Sequence, residues 1–282
     1  MTKLPKIAIG GLVVCLILIG VGVALAINSR DKTKVVSQEL EIPRESHSYT
    51  SHFPGLETVI LKEGTPEQIK EYMGFTVSFN KENHTPNYVA WELLGSEVLT
   101  QGERSKNFWQ DLDLEGCPAH KDYSNSGYDR GHMCPAADQK WSTQAMNDCF
   151  VMANMCPQDH QLNAGAWNTL ESKERQWAKR DSAIVIIAGP IYEEADVKRI
   201  GNMGVRVPSA FFKALLAPYV ENPRAIAFVY PNMASPGNMQ NYAMSVDDLE
   251  ELLGYDFFPA LPDDLENKIE ATYSFAEWNK SR

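Results

Sequence analysis

Six short runs dense in β-branched and aromatic residues constrain this chain more than any other feature. "FTVSF" (75–79), "YVAWELL" (88–94), "CFVMANM" (149–155), "SAIVIIAGPIY" (182–192), "VPSAFFKALLAPYV" (207–220) and "RAIAFVYPN" (224–232) read as strands. The first two flank the turn-forming "NKENHTPN" and predict a hairpin or meander, and the fourth is apolar enough to be buried on both faces. Helical pattern is sparser. "NAGAWNTLESKERQWAKRD" (163–181) spaces Trp167, Leu170 and Trp177 along a helix, and "SVDDLEELLG" (245–254) opens on Ser245 as N-cap and closes on Gly254. Strands and helices without regular β-α alternation predict an α+β domain on a mostly antiparallel sheet flanked by helices.

The N-terminus is of another kind. Lys3 and Lys6 precede an uncharged apolar run over residues 7–27, followed at once by Asn28, Ser29 and Arg30. Its length suits a membrane-spanning helix of about 20 residues, while Ala24 and Ala26 form a cleavage-like pattern, so residues 1–29 are expected to be a signal peptide or a membrane anchor. Either reading predicts an extracytoplasmic domain, membrane-anchored or secreted or periplasmic. Residues 30–57 are polar with two prolines and read as a tether, which leaves one domain over 58–282. Four cysteines follow the leader (Cys117, Cys134, Cys149, Cys156), and spacing does not fix their pairing. A Cys134–Cys156 disulfide and two free thiols both remain open, and Cys149, in an apolar stretch, reads as a buried thiol.

The formal net charge of −11 excludes a chain coated in basic residues for wrapping nucleic acid. A polyanionic substrate would need local arginines or a divalent cation. The densest chemistry lies in "YDRGHMCPA" (128–136), which sets Asp129, Arg130 and His132 within four residues. "ANMCPQ" (153–158) adds Asn154 and Gln158, and "LNAGAWNTLE" (162–171) adds Asn163 and Glu171, with Arg175 four residues on. Asn163, at a helix start, suits either a cap or a ligand contact. Glu171 and Arg175, taken alone, read as an i, i+4 surface ion pair worth about 0.3–0.5 kcal/mol.

These segments, with "VPSAFFK" (207–213), resemble the DNA/RNA non-specific endonucleases of the ββα-metal superfamily in order and spacing over residues 75–260. The resemblance implies a ββα-metal core and Mg²⁺-dependent hydrolysis of phosphodiester bonds in DNA and RNA to 5′-phosphate ends, with Mn²⁺ a substitute. It assigns His132 as general base, a role that a neutral imidazole near pH 7 suits. Asn163 becomes the direct metal ligand, and Glu171 a carboxylate acting on the metal through water. Eight residues of regular helix separate the Cα atoms of Asn163 and Glu171 by about 12 Å, so that role requires an irregular helix start. Arg175 is matched to a phosphate contact, and Asn154 and Gln158 to polar positions lining the site. Arg130 suits stabilisation of phosphorane charge through its fork of donors, and Asp129 suits orientation of a neighbour. Arg104 reads as an exposed loop arginine, and His160 as a solvated histidine. Expected partners are DNA and RNA, and the membrane through the N-terminal segment, with a homodimer left open. Two rival readings stand beside this one: a zinc-stapled module held by Cys117, His120, His132 and Cys134, and a catalytically silent nucleic-acid-binding relative.

Overall fold

The computed structural model describes residues 55–280 apart from 106, 194–196 and 236, so the N-terminal apolar segment and all but the end of the tether lie outside the described residues. Its centre is a seven-stranded antiparallel sheet: β1 (Gln68–Glu71), β2 (Thr76–Asn80), β3 (Thr85–Leu94), β4 (Ala183–Ile191), β5 (Ala210–Ala217), β6 (Arg224–Pro231) and β7 (Ala243–Met244). Spatial order follows chain order from β1 to β7, so the sheet is a meander. The predicted hairpin is β2 paired with β3.

Side chains alternate across a strand, and here both faces are covered. In β4, Ile184, Ile186 and Ala188 join one core, while Val185 and Ile187 join the other. That two-sided burial explains why "SAIVIIAGPIY" carries no polar alternation. The helices Val246–Leu253 and Asp263–Glu270 cover the second face through Val246, Leu249 and Ile269. Ser245 caps the first of these by accepting from Asp248 N–H at 3.1 Å, and Gly254 ends it at φ 68°, a left-handed conformation that glycine adopts freely.

The first face is covered by one long excursion, residues 95–182, inserted between β3 and β4. It contains a two-stranded hairpin, Asp129–His132 against Met155–Gln158, and the helix Asn168–Asp181, whose Leu170, Trp177 and Ala178 pack into the first core. Every candidate site residue of the sequence lies on this excursion. "CFVMANM" is a strand only at its last residue, because Met152–Asn154 forms a tight turn that delivers the chain into the hairpin.

Candidate active site

The hairpin places the "DRGH" residues. His132 faces Met155 across it, and Gly131 faces Cys156. Gly131 is fixed by crowding: a Cβ there would lie 2.3 Å from Gln158 Oε1 and 2.6 Å from Gln158 Cβ. Gln158 is fully buried and has no room to yield, so Gly131→Ala is expected to destabilise the full chain by about 1–3 kcal/mol in chemical denaturation. A change within about 0.5 kcal/mol, the range of neutral surface substitutions, would mean that the packing over Gly131 is loose.

His132 stands edge-on to Phe150, with ring centroids 4.9 Å apart, and 5.8 Å from the ring of Phe108. Its Nε2 is buried and takes no hydrogen bond. Burial, reinforced by the positive charge of Arg104 and opposed by a hydrogen bond to the Arg130 backbone, pushes its pKa down to about 3. The imidazole is therefore neutral near pH 7, with an unshared lone pair. Arg104, read from sequence as an exposed loop arginine, sits 5.3 Å over the Phe150 ring. Arg130 stacks 5.1 Å over Phe108 and donates to the His120 carbonyl at 3.2 and 3.3 Å. Two cations thus flank the aromatic pair that holds His132.

Asp129 bridges to the helix start. Its Oδ2 accepts from Asn163 Nδ2 at 2.8 Å and lies 2.9 Å from His160 Nδ1. His160 is exposed, in keeping with its reading as a solvated histidine, but it is also paired with Asp129. The helix-capping alternative for Asn163 falls to Asp159, whose side chain accepts from the N–H groups of Gln161 and Leu162 at 2.8 and 3.3 Å. With its amide nitrogen given to Asp129, the Asn163 oxygen faces no donor among the described residues. A neutral oxygen so oriented is a hard-cation donor, and it fits a divalent ion that retains waters.

The helix start is irregular, the condition that a water-mediated role for Glu171 would need. Asn163–Trp167 forms a π-helical turn broken at Gly165 (φ −107°, ψ −106°) before the regular helix begins at Asn168. Glu171 is buried, not a surface residue, and forms no ion pair with Arg175. Arg175 donates to Asp138 Oδ1 at 3.0 Å and to Ser172 Oγ at 3.1 Å. Beneath them Lys213 donates to Glu174 Oε2 at 2.7 Å, both side chains wholly buried. Burial pushes Glu171 up to about 7, opposed by Lys213 and Arg175 and reinforced by Glu174 and Asp138. Three carboxylates, Glu171, Glu174 and Asp138, thus share two cations, Lys213 and Arg175.

Asn154 serves a different end from lining the site. Its oxygen accepts from Cys134 N–H at 2.9 Å, and its nitrogen donates to the carbonyls of Cys134 and Cys149 at 2.9 and 2.8 Å. The amide is spent on the backbone behind His132. The amide of Gln158, by contrast, is buried with neither atom hydrogen-bonded. The four cysteines among the described residues, Cys117, Cys134, Cys149 and Cys156, are buried free thiols, which removes the Cys134–Cys156 disulfide. The zinc alternative also fails: among the described residues Cys117, His120, His132 and Cys134 do not converge, and Cys134 Sγ instead accepts from Gln139 at 3.2 Å. Asp138, Glu174, Lys213 and Asn232 complete the setting. Asn232 clamps the hairpin to the sheet, donating to the Pro157 and Pro208 carbonyls and accepting from Asp159 N–H at 2.7 Å.

Comparison with known proteins gives this geometry relatives. A mitochondrial nuclease EXOG from Danio rerio is 35% identical over 223 residues, covering 72% of this chain. The chain in turn spans 65% of that relative's length, just under two thirds. A nuclease from a Nostoc species is 33% identical over 218 residues, covering 70% of this chain and 75% of its own. The crystal structure of an EndoG/EndoGI complex superposes with a TM-score of 0.66 at 26% identity, covering 70% of this chain and 87% of that one. These relatives correct the expectation of an extracytoplasmic location. The Danio rerio protein and those from Homo sapiens, Schizosaccharomyces pombe and Saccharomyces cerevisiae are mitochondrial nucleases. Among the described residues, which do not include the apolar run over 7–27, no helix is long and apolar enough to cross a membrane. The family model for DNA/RNA non-specific endonucleases matches residues 56–264, taking in the whole sheet and the entire excursion that carries His132 and Asn163, and the chain belongs to that family.

Proposed function

We propose that the chain is a divalent-metal-dependent endonuclease hydrolysing the phosphodiester backbone of both DNA and RNA to 5′-phosphate ends. The observation that carries this reading is the division of labour along the hairpin. Asp129 takes the amide nitrogen of Asn163 and leaves its oxygen for a cation, while His132 is held neutral with Nε2 unpaired. His132 Nε2 accepts the proton of the attacking water. Arg130 supports the charge that develops on the phosphorus oxygens. Asn163 would hold Mg²⁺, with Mn²⁺ as a substitute, and Glu171 would hold its water ligands. Such an ion supplies Lewis acidity towards a phosphate oxygen. Asp129 positions Asn163, and Arg175 acts from behind Glu171 through its pairing with Asp138. None of these groups addresses a base edge, so little sequence preference is expected.

The test is cleavage of supercoiled plasmid and of RNA by the full chain with Mg²⁺, with Mn²⁺ and with excess EDTA. Both substrates are expected to be cut with either metal and neither in chelator, and Asn163→Ala is expected to raise the metal concentration needed for half-maximal rate at least tenfold. Cleavage that persists in EDTA would overturn the metal's role. Binding of both substrates without cleavage under any metal would leave the silent-relative reading in its place.

A further inference from the structure

On the opposite face of the sheet from His132, the helices Val246–Leu253 and Asp263–Glu270 bring Asp247, Glu250 and Glu270 together, with carboxylate oxygens all within 4.8 Å of one another. Acidic clusters on surfaces are common and by themselves mean little. This one is anchored in the interior. Glu270 is 3% exposed, and its Oε1 is buried with no hydrogen-bond partner. A buried carboxylate oxygen left unpaired is a strong expense in a folded chain. Glu250, partly buried, has one oxygen fixed by Phe257 N–H at 2.7 Å, while Asp247 is exposed and keeps the cluster open to solvent.

The charged groups that act most on Glu270 are themselves carboxylates: Glu250, Glu266, Asp247 and Asp256. Glu266 and Asp256 come from the second helix and from the short strand Asp256–Phe257, so the negative field converges from three elements. Two responses can relieve such a site: protonation, or a hard cation.

We propose that Asp247, Glu250 and Glu270 form a Ca²⁺ site that ties the two C-terminal helices together, separate from the ion at Asn163. Oxygen-only ligands of mixed exposure suit Ca²⁺, which accepts irregular shells at 2.3–2.6 Å and completes them with water, better than they suit Mg²⁺ with its demand for octahedral geometry at 2.0–2.1 Å. Oxygens that all lie within 4.8 Å of one another converge on one ion at such bond lengths after side-chain adjustments of a few tenths of an ångström. The role is structural: Val246, Leu249 and Ile269 of the same helices pack into the second core, so an ion at the cluster holds that layer on the sheet. The inference stands whatever reaction the His132 site performs.

The experiment uses the full chain carrying Asn163→Ala, so that the candidate catalytic ion does not contribute. Calorimetric titration with Ca²⁺ is expected to show one site, and the melting temperature to rise by roughly 5 °C when free Ca²⁺ exceeds Kd a hundredfold. Adding Glu250→Gln and Glu270→Gln is expected to abolish both responses. Asp247→Asn, at an exposed position that leaves the fold intact, is expected to weaken binding about tenfold and so covers the case in which the buried substitutions fail to fold. Two results would overturn the proposal: no Ca²⁺ response in Asn163→Ala, or a response that survives the glutamine substitutions. A third would do the same: Glu270→Gln raising stability in the absence of metal with Ca²⁺ having no effect on its parent, since the cluster would then be relieving itself by protonation.

Discussion

Replacing His132 with alanine is expected to lower the rate of plasmid cleavage by the full chain about 10²- to 10⁴-fold at saturating Mg²⁺, the range for loss of a positioned general base. The loss is expected in kcat with little change in KM, because in the proposed role the imidazole acts on the water and not on the bound phosphate. Circular dichroism should show the variant folded. The chain offers a second readout that a merely structural histidine in a solvated setting would not give. Since burial holds the folded-state pKa near 3, below the ordinary value of about 6.5, the unfolded chain takes up the proton first as pH falls. Stability attributable to His132 is thus fully present above about pH 6.5 and declines as pH drops towards 3. In His132→Ala that portion of the acid sensitivity should vanish, so wild-type and variant stability curves converge on acidification. Activity within about twofold of wild type would remove His132 from the reaction, whereas parallel stability curves would mean that its ring is solvated in the folded chain.

The fold was legible where burial is governed by strand alternation and turn chemistry. The apolar length of "SAIVIIAGPIY" announces a strand covered on both sides, and Ser245 and Gly254 mark helix ends because capping is local in sequence. What spacing could not give is partnership across the fold. Asn154 reads as a polar site residue because nothing in "ANMCPQ" shows that the carbonyls of Cys134 and Cys149 will take its amide. His160 reads as solvated, and it is, but spacing does not show that the hairpin also brings Asp129 to it from 31 positions away. Arg175 appears free for phosphate because Asp138, which binds it, lies 37 residues upstream in a segment with no periodic signal. An irregular helix start is a condition of the role read for Glu171, yet only the backbone reveals that the break falls within Asn163–Trp167. Lys213 is the sharpest case. It stands in the open at the end of "VPSAFFK", a lysine in a strand of buried residues, and a lone sequence gives no means of naming the acid that would let it stay there.

That acid is Glu174, and the pair predicts the largest stability effect in the chain. Lys213 and Glu174 are both wholly buried at 2.7 Å, and the ammonium lies 4.7 Å from the Trp167 ring centroid and 5.6 Å from that of Trp91. Lys213→Met, close in length and apolar, leaves the Glu174 carboxylate with no cation of its own, and its other oxygen already has no hydrogen bond. Breaking a buried pair from one side costs about 3–5 kcal/mol, a large share of the roughly 5–15 kcal/mol that holds a typical domain. Lys213→Met is therefore expected to shift the urea midpoint strongly downward in the full chain. The double variant Lys213→Met, Glu174→Leu separates charge from packing. If the penalty is the stranded carboxylate, the double variant recovers most of the loss, since an apolar pair of similar volume is often neutral relative to a buried ion pair. If it recovers none, the loss came from the cation's contact with Trp91 and Trp167. A single-variant effect below about 1 kcal/mol, the level of a solvated surface pair, would mean that water reaches the pair in solution. The pair also joins β5 to the helix that carries Glu171, three residues before Glu174, so the same substitution loosens the candidate site from the sheet. Recovery of stability in the double variant without recovery of cleavage would locate the buried charge, and not the packing, as what the site requires.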